Sequence, residues 1–118
     1  MIADQRTFMA AGDQITSWYD EDQFKLYLNL IREEVGELED AVLADDKVKI
    51  LDSIVDILVV TLGCGLSMGV DLQGAWNEVI RSNMSKVDPT THKIIKRSDG
   101  KILKPATFSP ANFEQFFE

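Results

Sequence analysis

An all-α fold is predicted: an antiparallel bundle of about four helices, with a short C-terminal β-hairpin and an irregular tail. Three observations predict it. Apolar residues recur at spacings of three and four through four successive segments. The segments are joined by only a few residues, which favours antiparallel neighbours. Near the end, Asp99-Gly100 stands between two β-prone runs in KIIKRSDGKILK, 93–104, a hairpin signal.

The first helical segment, about 3–14, has the weakest pattern. The second, from near Asp22 to about Ala44, places Phe24, Leu28, Ile31, Val35, Leu38 and Val42 along one arc. The third runs from about Asp46 to Met68. Gly69, Val70 and Asp71 then read as a helix stop followed by an N-cap. The fourth continues from near Asp71 to about Ser85. After Pro89 the periodicity changes, and the tail from Pro105 carries four phenylalanines. These are expected to dock on the bundle or on a partner subunit. No repeat or linker interrupts the chain, so residues 1–118 are expected to form a single domain.

Composition narrows the function. A net charge of −8 and a pI near 4.5 disfavour binding a nucleic-acid backbone, whose affinity comes largely from Lys and Arg. The longest uncharged run, Ile57 to Val70, has 14 residues and falls short of the roughly 20 that cross a bilayer. The N-terminus lacks the charged start and apolar run of a signal peptide. The lone Cys64 has no partner for an internal disulfide. A cytoplasmic protein, with no membrane or nucleic-acid partner, is expected.

The informative residues are acidic. In REEVGELEDA, 32–41, Glu34 falls inside the apolar arc, whereas Glu33 and Glu37 lie at or beyond its edge. In LDSIVDILVVTLGCG, 51–65, Asp56 interrupts a segment apolar all round, so the third helix is expected to be buried. Asp52 points the same way at i, i+4. Ionised carboxylates in an apolar setting need a partner. One possibility is a buried salt bridge to Lys25, Arg32 or Lys49. The other is a shared site for Mg²⁺ or Mn²⁺, which prefer oxygen ligands. A di-iron bundle would need Glu-x-x-His pairs, and the single histidine, His92, lies outside the helices in an expected loop.

EEVGEL, 33–38, resembles the Glu-Glu-x-x-Glu motif of the all-α nucleoside triphosphate pyrophosphohydrolases, the superfamily of MazG-like proteins, dimeric dUTPases and phosphoribosyl-ATP pyrophosphohydrolase. DSIVDILVVTLG resembles its second motif. EVIRSNMSKVD, 78–88, and DGKILKPATFSP, 99–110, are similar to the C-terminal part of small, often phage-borne MazG-like members. The second motif is commonly Glu-x-x-Asp, yet Ser53 stands three residues before Asp56, with Asp52 taken as the substitute.

The resemblance implies Mg²⁺-dependent hydrolysis of a (deoxy)nucleoside triphosphate between its α- and β-phosphates, releasing monophosphate and pyrophosphate. Mn²⁺ is expected to support it too. Glu34, Glu37, Asp52 and Asp56 would hold metal, and Glu33 would bind a further ion or help deprotonate water. Asn83, Lys86, Lys104 and Arg81 would contact phosphates, while Gln14 and Trp18 would meet the base. A homodimer or homotetramer in a bacterial or phage-infected cytosol is implied. The alternatives are a non-catalytic oligomeric scaffold or nucleotide-binding protein, and phosphoribosyl-ATP as substrate.

Overall fold

The computed structural model describes residues 1–117. It contains four helices, α1 (Ile2–Ala11), α2 (Glu21–Leu43), α3 (Lys47–Leu66) and α4 (Leu72–Met84). Two short antiparallel strands follow, β1 (Ile95–Lys96) and β2 (Ile102–Leu103), then a 3₁₀ turn, Glu114–Phe117. The all-α class and the hairpin are as predicted. The chain divides into two compact units, 1–72 and 73–118.

In the first unit the helix ends follow local chemistry. Asp20 caps α2 by accepting from the Gln23 amide at 3.0 Å, and Asp46 caps α3 by accepting from Lys49 N–H at 3.2 Å. Helix α1 stops earlier than predicted, at Gly12 and a left-handed Asp13 (φ 57°). Gly69, at φ 71°, ends the α3 turn, where a Cβ would strike the Trp18 backbone at 2.4 Å. The loop 12–20 is further pinned by Gln23, which accepts from Ile15 N–H and donates to Ile15 O and Ser67 Oγ.

Helices α2 and α3 pack against each other, with Met9 and Ile2 of α1 joining Tyr27, Val60, Cys64 and Leu66 in the core. Gly63 sets the register of the pair. A Cβ there would stand 2.2 Å from Tyr27 Cε1, so only glycine lets the tyrosine ring lie against α3. Gly63→Ala is therefore expected to destabilise the fold by about 1–3 kcal/mol through overpacking, measured by urea denaturation.

One expectation is corrected here. Helix α3 is apolar all round, but it is not buried all round within one chain. Leu51 is 63% exposed, and Ile54, Val55, Leu58 and Val59 are exposed as well. Helices α1 and α2 pack on other sides of α3 and leave this one open.

In the second unit the hairpin pairs Ile95 with Leu103 and Lys96 with Ile102. Arg97 N–H also donates to Lys101 O at 2.7 Å, leaving a three-residue loop, Ser98-Asp99-Gly100, with Gly100 at φ 88°. The tail is not anchored chiefly by its phenylalanines: Phe113 and Phe117 are exposed. Polar contacts tie it to α4 instead. Arg81 Nη2 donates to Pro110 O, Asn112 N–H to Glu78 Oε1, and Ser109 N–H to Ser85 Oγ.

Candidate metal and nucleotide site

The antiparallel register of α2 and α3 brings the acidic residues together. Tyr27 lies against Gly63. Seven residues along α2, and seven back along α3, are Glu34 and Asp56. Seven residues are two turns, about 10 Å, so each pair keeps the same faces opposed. One turn further on, Glu37 comes level with Asp52 and Ser53, and these line a cleft of about 430 Å³ with Asp40, Asp46 and Lys49.

Glu34 is the centre of this arrangement. The residue is half-buried, and its Oε2 is sealed from solvent without a hydrogen-bond partner. Burial, the adjacent Glu37 and then Asp56 and Asp52 all push its pKa above the ordinary glutamate value. Asp56 is half-buried; Glu33, Glu37 and Asp52 are exposed. Of the four carboxylates named from the sequence, Glu37, Asp56 and Asp52 each act on Glu34.

The salt-bridge alternative finds no support among the described residues. Lys25 pairs with Glu21 at 2.9 Å, Arg32 donates to Asn29 at 3.3 Å, and Lys49 makes no ion pair. None of the ion pairs present involves the four acids.

The donor set fits a hard divalent cation: oxygen only, mutually repelling, with one buried acceptor unsatisfied. As placed, no three His, Cys, Asp or Glu side chains among the described residues are gathered tightly enough to hold an ion together. Glu37 and Asp52 are exposed, and among the described residues neither is held by an ion pair.

Gln14 is occupied locally, its Oε1 accepting from the Tyr27 hydroxyl at 2.5 Å. Trp18 projects 61% exposed from the pinned loop beside Tyr19, which is also exposed. The remaining candidates belong to the second unit. Lys86 Nζ donates to Asn83 Oδ1 at 3.2 Å, confirming that they share a face. Lys86 and Lys104 line one small cleft with Asp88, and Lys104 Nζ stands 4.6 Å over the Phe108 ring. Arg81 is already engaged. It makes a bidentate pair with Glu78 (2.6 and 3.0 Å) as well as the Pro110 contact, so a phosphate would have to displace Glu78. That pairing holds the Glu78 carboxyl down at about 2. His92 is a loop residue at φ 59°.

Two residues that the sequence analysis did not assign to the site, Ser53 and Lys49, also line this cleft. Their spacing to Asp52 and Asp56 on one stripe of α3 was the available signal.

Residues 5–83, which span all four helices, match the family described as phosphoribosyl-ATP pyrophosphohydrolase. The chain belongs to that family. It thereby falls within the MazG-like all-α NTP pyrophosphohydrolase superfamily. A 48-residue stretch is 52% identical to the uncharacterized protein L479 of Acanthamoeba polyphaga mimivirus, covering 41% of this chain and 19% of that protein. The chain therefore spans about a fifth of the length of that relative. No helix among the described residues is long and apolar enough to cross a membrane.

Proposed function

We propose that this member of the phosphoribosyl-ATP pyrophosphohydrolase family is a Mg²⁺-dependent nucleotide pyrophosphohydrolase. It cleaves the α–β phosphoanhydride of a nucleoside triphosphate, usually a (deoxy)NTP, to monophosphate and pyrophosphate. One observation carries the reading: the sealed, unpartnered Oε2 of Glu34, faced by three further carboxylates with no Lys or Arg paired to them. Glu34, Glu37, Asp52 and Asp56 would hold the ion. When bound, Mg²⁺ supplies positive charge against the phosphates and lowers the pKa of the attacking water. Glu33, exposed on α2 next to Glu34 in sequence, would bind a further ion or help deprotonate the attacking water. Mn²⁺ serves in the same place.

Phosphoribosyl-ATP, the substrate in the family's name, carries the same α–β anhydride and is the second reading. A panel of NTPs, dNTPs and phosphoribosyl-ATP with Mg²⁺ or Mn²⁺, assayed for monophosphate and pyrophosphate, decides. Orthophosphate with diphosphate would overturn the cleavage position. A folded protein inert to the whole panel would favour an oligomeric scaffold.

A second copy of the chain is inferred to cover the outer side of α3. Leu51, Val55 and Leu58 recur there at i, i+4 and i+7, exposed and uncharged. Val55 and Leu58 also line a groove of about 450 Å³ with Phe8, Val59 and Leu62, and with Asp4 and Gln5 at its α1 side. Leu58→Glu is expected to convert a dimer or tetramer to monomer in multi-angle light scattering. A wild-type monomer at micromolar concentration would overturn this.

A further inference from the structure

The cleft beyond Glu34 contains donors that a metal site alone does not require. Its lining joins Glu37, Asp40, Asp46 and Asp52 with Lys49 and Ser53. Ser53 is only 4% exposed, and its hydroxyl makes no hydrogen bond among the described residues. Its oxygen is not among the sealed, unpartnered atoms, so the hydroxyl reaches the cleft instead of bonding back to the carbonyl four residues earlier. Lys49 stands one turn before it on the same stripe. Among the described residues it makes no ion pair, although four carboxylates line the same cleft.

These groups make opposed demands on any ligand. A bare divalent cation would meet the Lys49 ammonium, and a bare phosphate would meet four carboxylates. A metal-chelated polyphosphate satisfies both. Its cation faces the carboxylates, and its remaining oxygens accept from an ammonium and a hydroxyl. A volume of about 430 Å³ is adequate for such a group.

We propose that Lys49 and Ser53 form the subsite for the β- and γ-phosphates, the portion that leaves as pyrophosphate. Lys49 Nζ and Ser53 Oγ donate to non-bridging oxygens. The substrate then runs along the α2–α3 pair, with its scissile end near Glu34 and Asp56 and its tail toward the α2–α3 turn. The inference rests on the pyrophosphohydrolase reading for its substrate, but its test does not require turnover.

The probe is inorganic pyrophosphate with excess Mg²⁺, titrated by calorimetry into the full chain. Wild type is expected to bind, Lys49→Gln to bind at least tenfold more weakly, and Ser53→Ala severalfold more weakly. Lys25→Gln, which removes a surface ion pair, should bind as wild type does. Binding of Mn²⁺ alone, followed by electron paramagnetic resonance, should not weaken in Lys49→Gln. The proposal is overturned if wild type fails to bind magnesium pyrophosphate, or if Lys49→Gln leaves its affinity unchanged. It is equally overturned if Lys49→Gln weakens Mn²⁺ alone to the same extent. Should these expectations hold while no nucleotide is hydrolysed, the subsite stands and the catalytic reading fails.

Discussion

Asp56→Asn is expected to lower kcat/KM for the best nucleotide by at least about 100-fold, with the helical circular-dichroism signal near wild type. The substitution preserves volume and removes one negative charge from the side chain facing Glu34. If Asp56 were a structural residue, losing that charge would relieve repulsion in the metal-free protein and leave turnover intact. If it is a ligand, the amide oxygen is a far weaker donor to a hard cation, and the reaction loses the charge that the triphosphate requires. Glu37→Gln should behave similarly. It lies on the opposite helix, so the pair tests both walls of the site independently. A variant that keeps a third or more of wild-type kcat/KM would remove its residue from the ligand set. Raising Mn²⁺ should rescue these variants only in part, because a lost ligand weakens the ion and misplaces the phosphates it holds.

The parts legible in the sequence are those encoded by local periodicity and by local chemistry. The helices were readable to within a few residues because Asp20, Asp46 and Gly69 act as caps and stop through contacts with near neighbours. Glu34 and Asp56 were legible because each breaks an apolar pattern, and an antiparallel pair of long helices leaves few ways to place them. Register itself was hidden: it depends on Gly63 admitting the Tyr27 ring, a contact across 36 residues that no local pattern announces. Burial of α3 was overestimated for a related reason. An apolar circumference does not say which sides of a helix the rest of the chain covers, and here Leu51 and Leu58 are left exposed. The engagement of Arg81 was not legible, because the carbonyl of Pro110 that it meets beside Glu78 comes from far along the chain.

The second large effect separates stability from activity. Without divalent ions, Glu34→Gln is expected to be more stable than wild type at neutral pH, with a higher melting temperature. Burial and three neighbouring carboxylates raise the folded-state pKa of Glu34, so the folded protein holds that proton more tightly than the unfolded chain does. Below the ordinary value of about 4.5 the residue is protonated in both states and costs nothing. As pH rises from there through the raised folded value, the folded state loses its advantage, and above it a constant penalty for ionisation remains. The difference between Glu34→Gln and wild type should therefore be small near pH 4, widen as pH rises and then level off. Added Mn²⁺ should reverse the order at pH 7. At a concentration 100-fold above its dissociation constant, an ion bound only by the folded state adds about 2.7 kcal/mol, and wild type should gain it while Glu34→Gln does not. Calorimetric scans across pH, with and without Mn²⁺, measure all of this on a protein that need not turn over substrate. If Glu34→Gln were no more stable than wild type in chelator, the buried carboxylate would already have a partner, and the case for a cation between the two helices would lose its foundation.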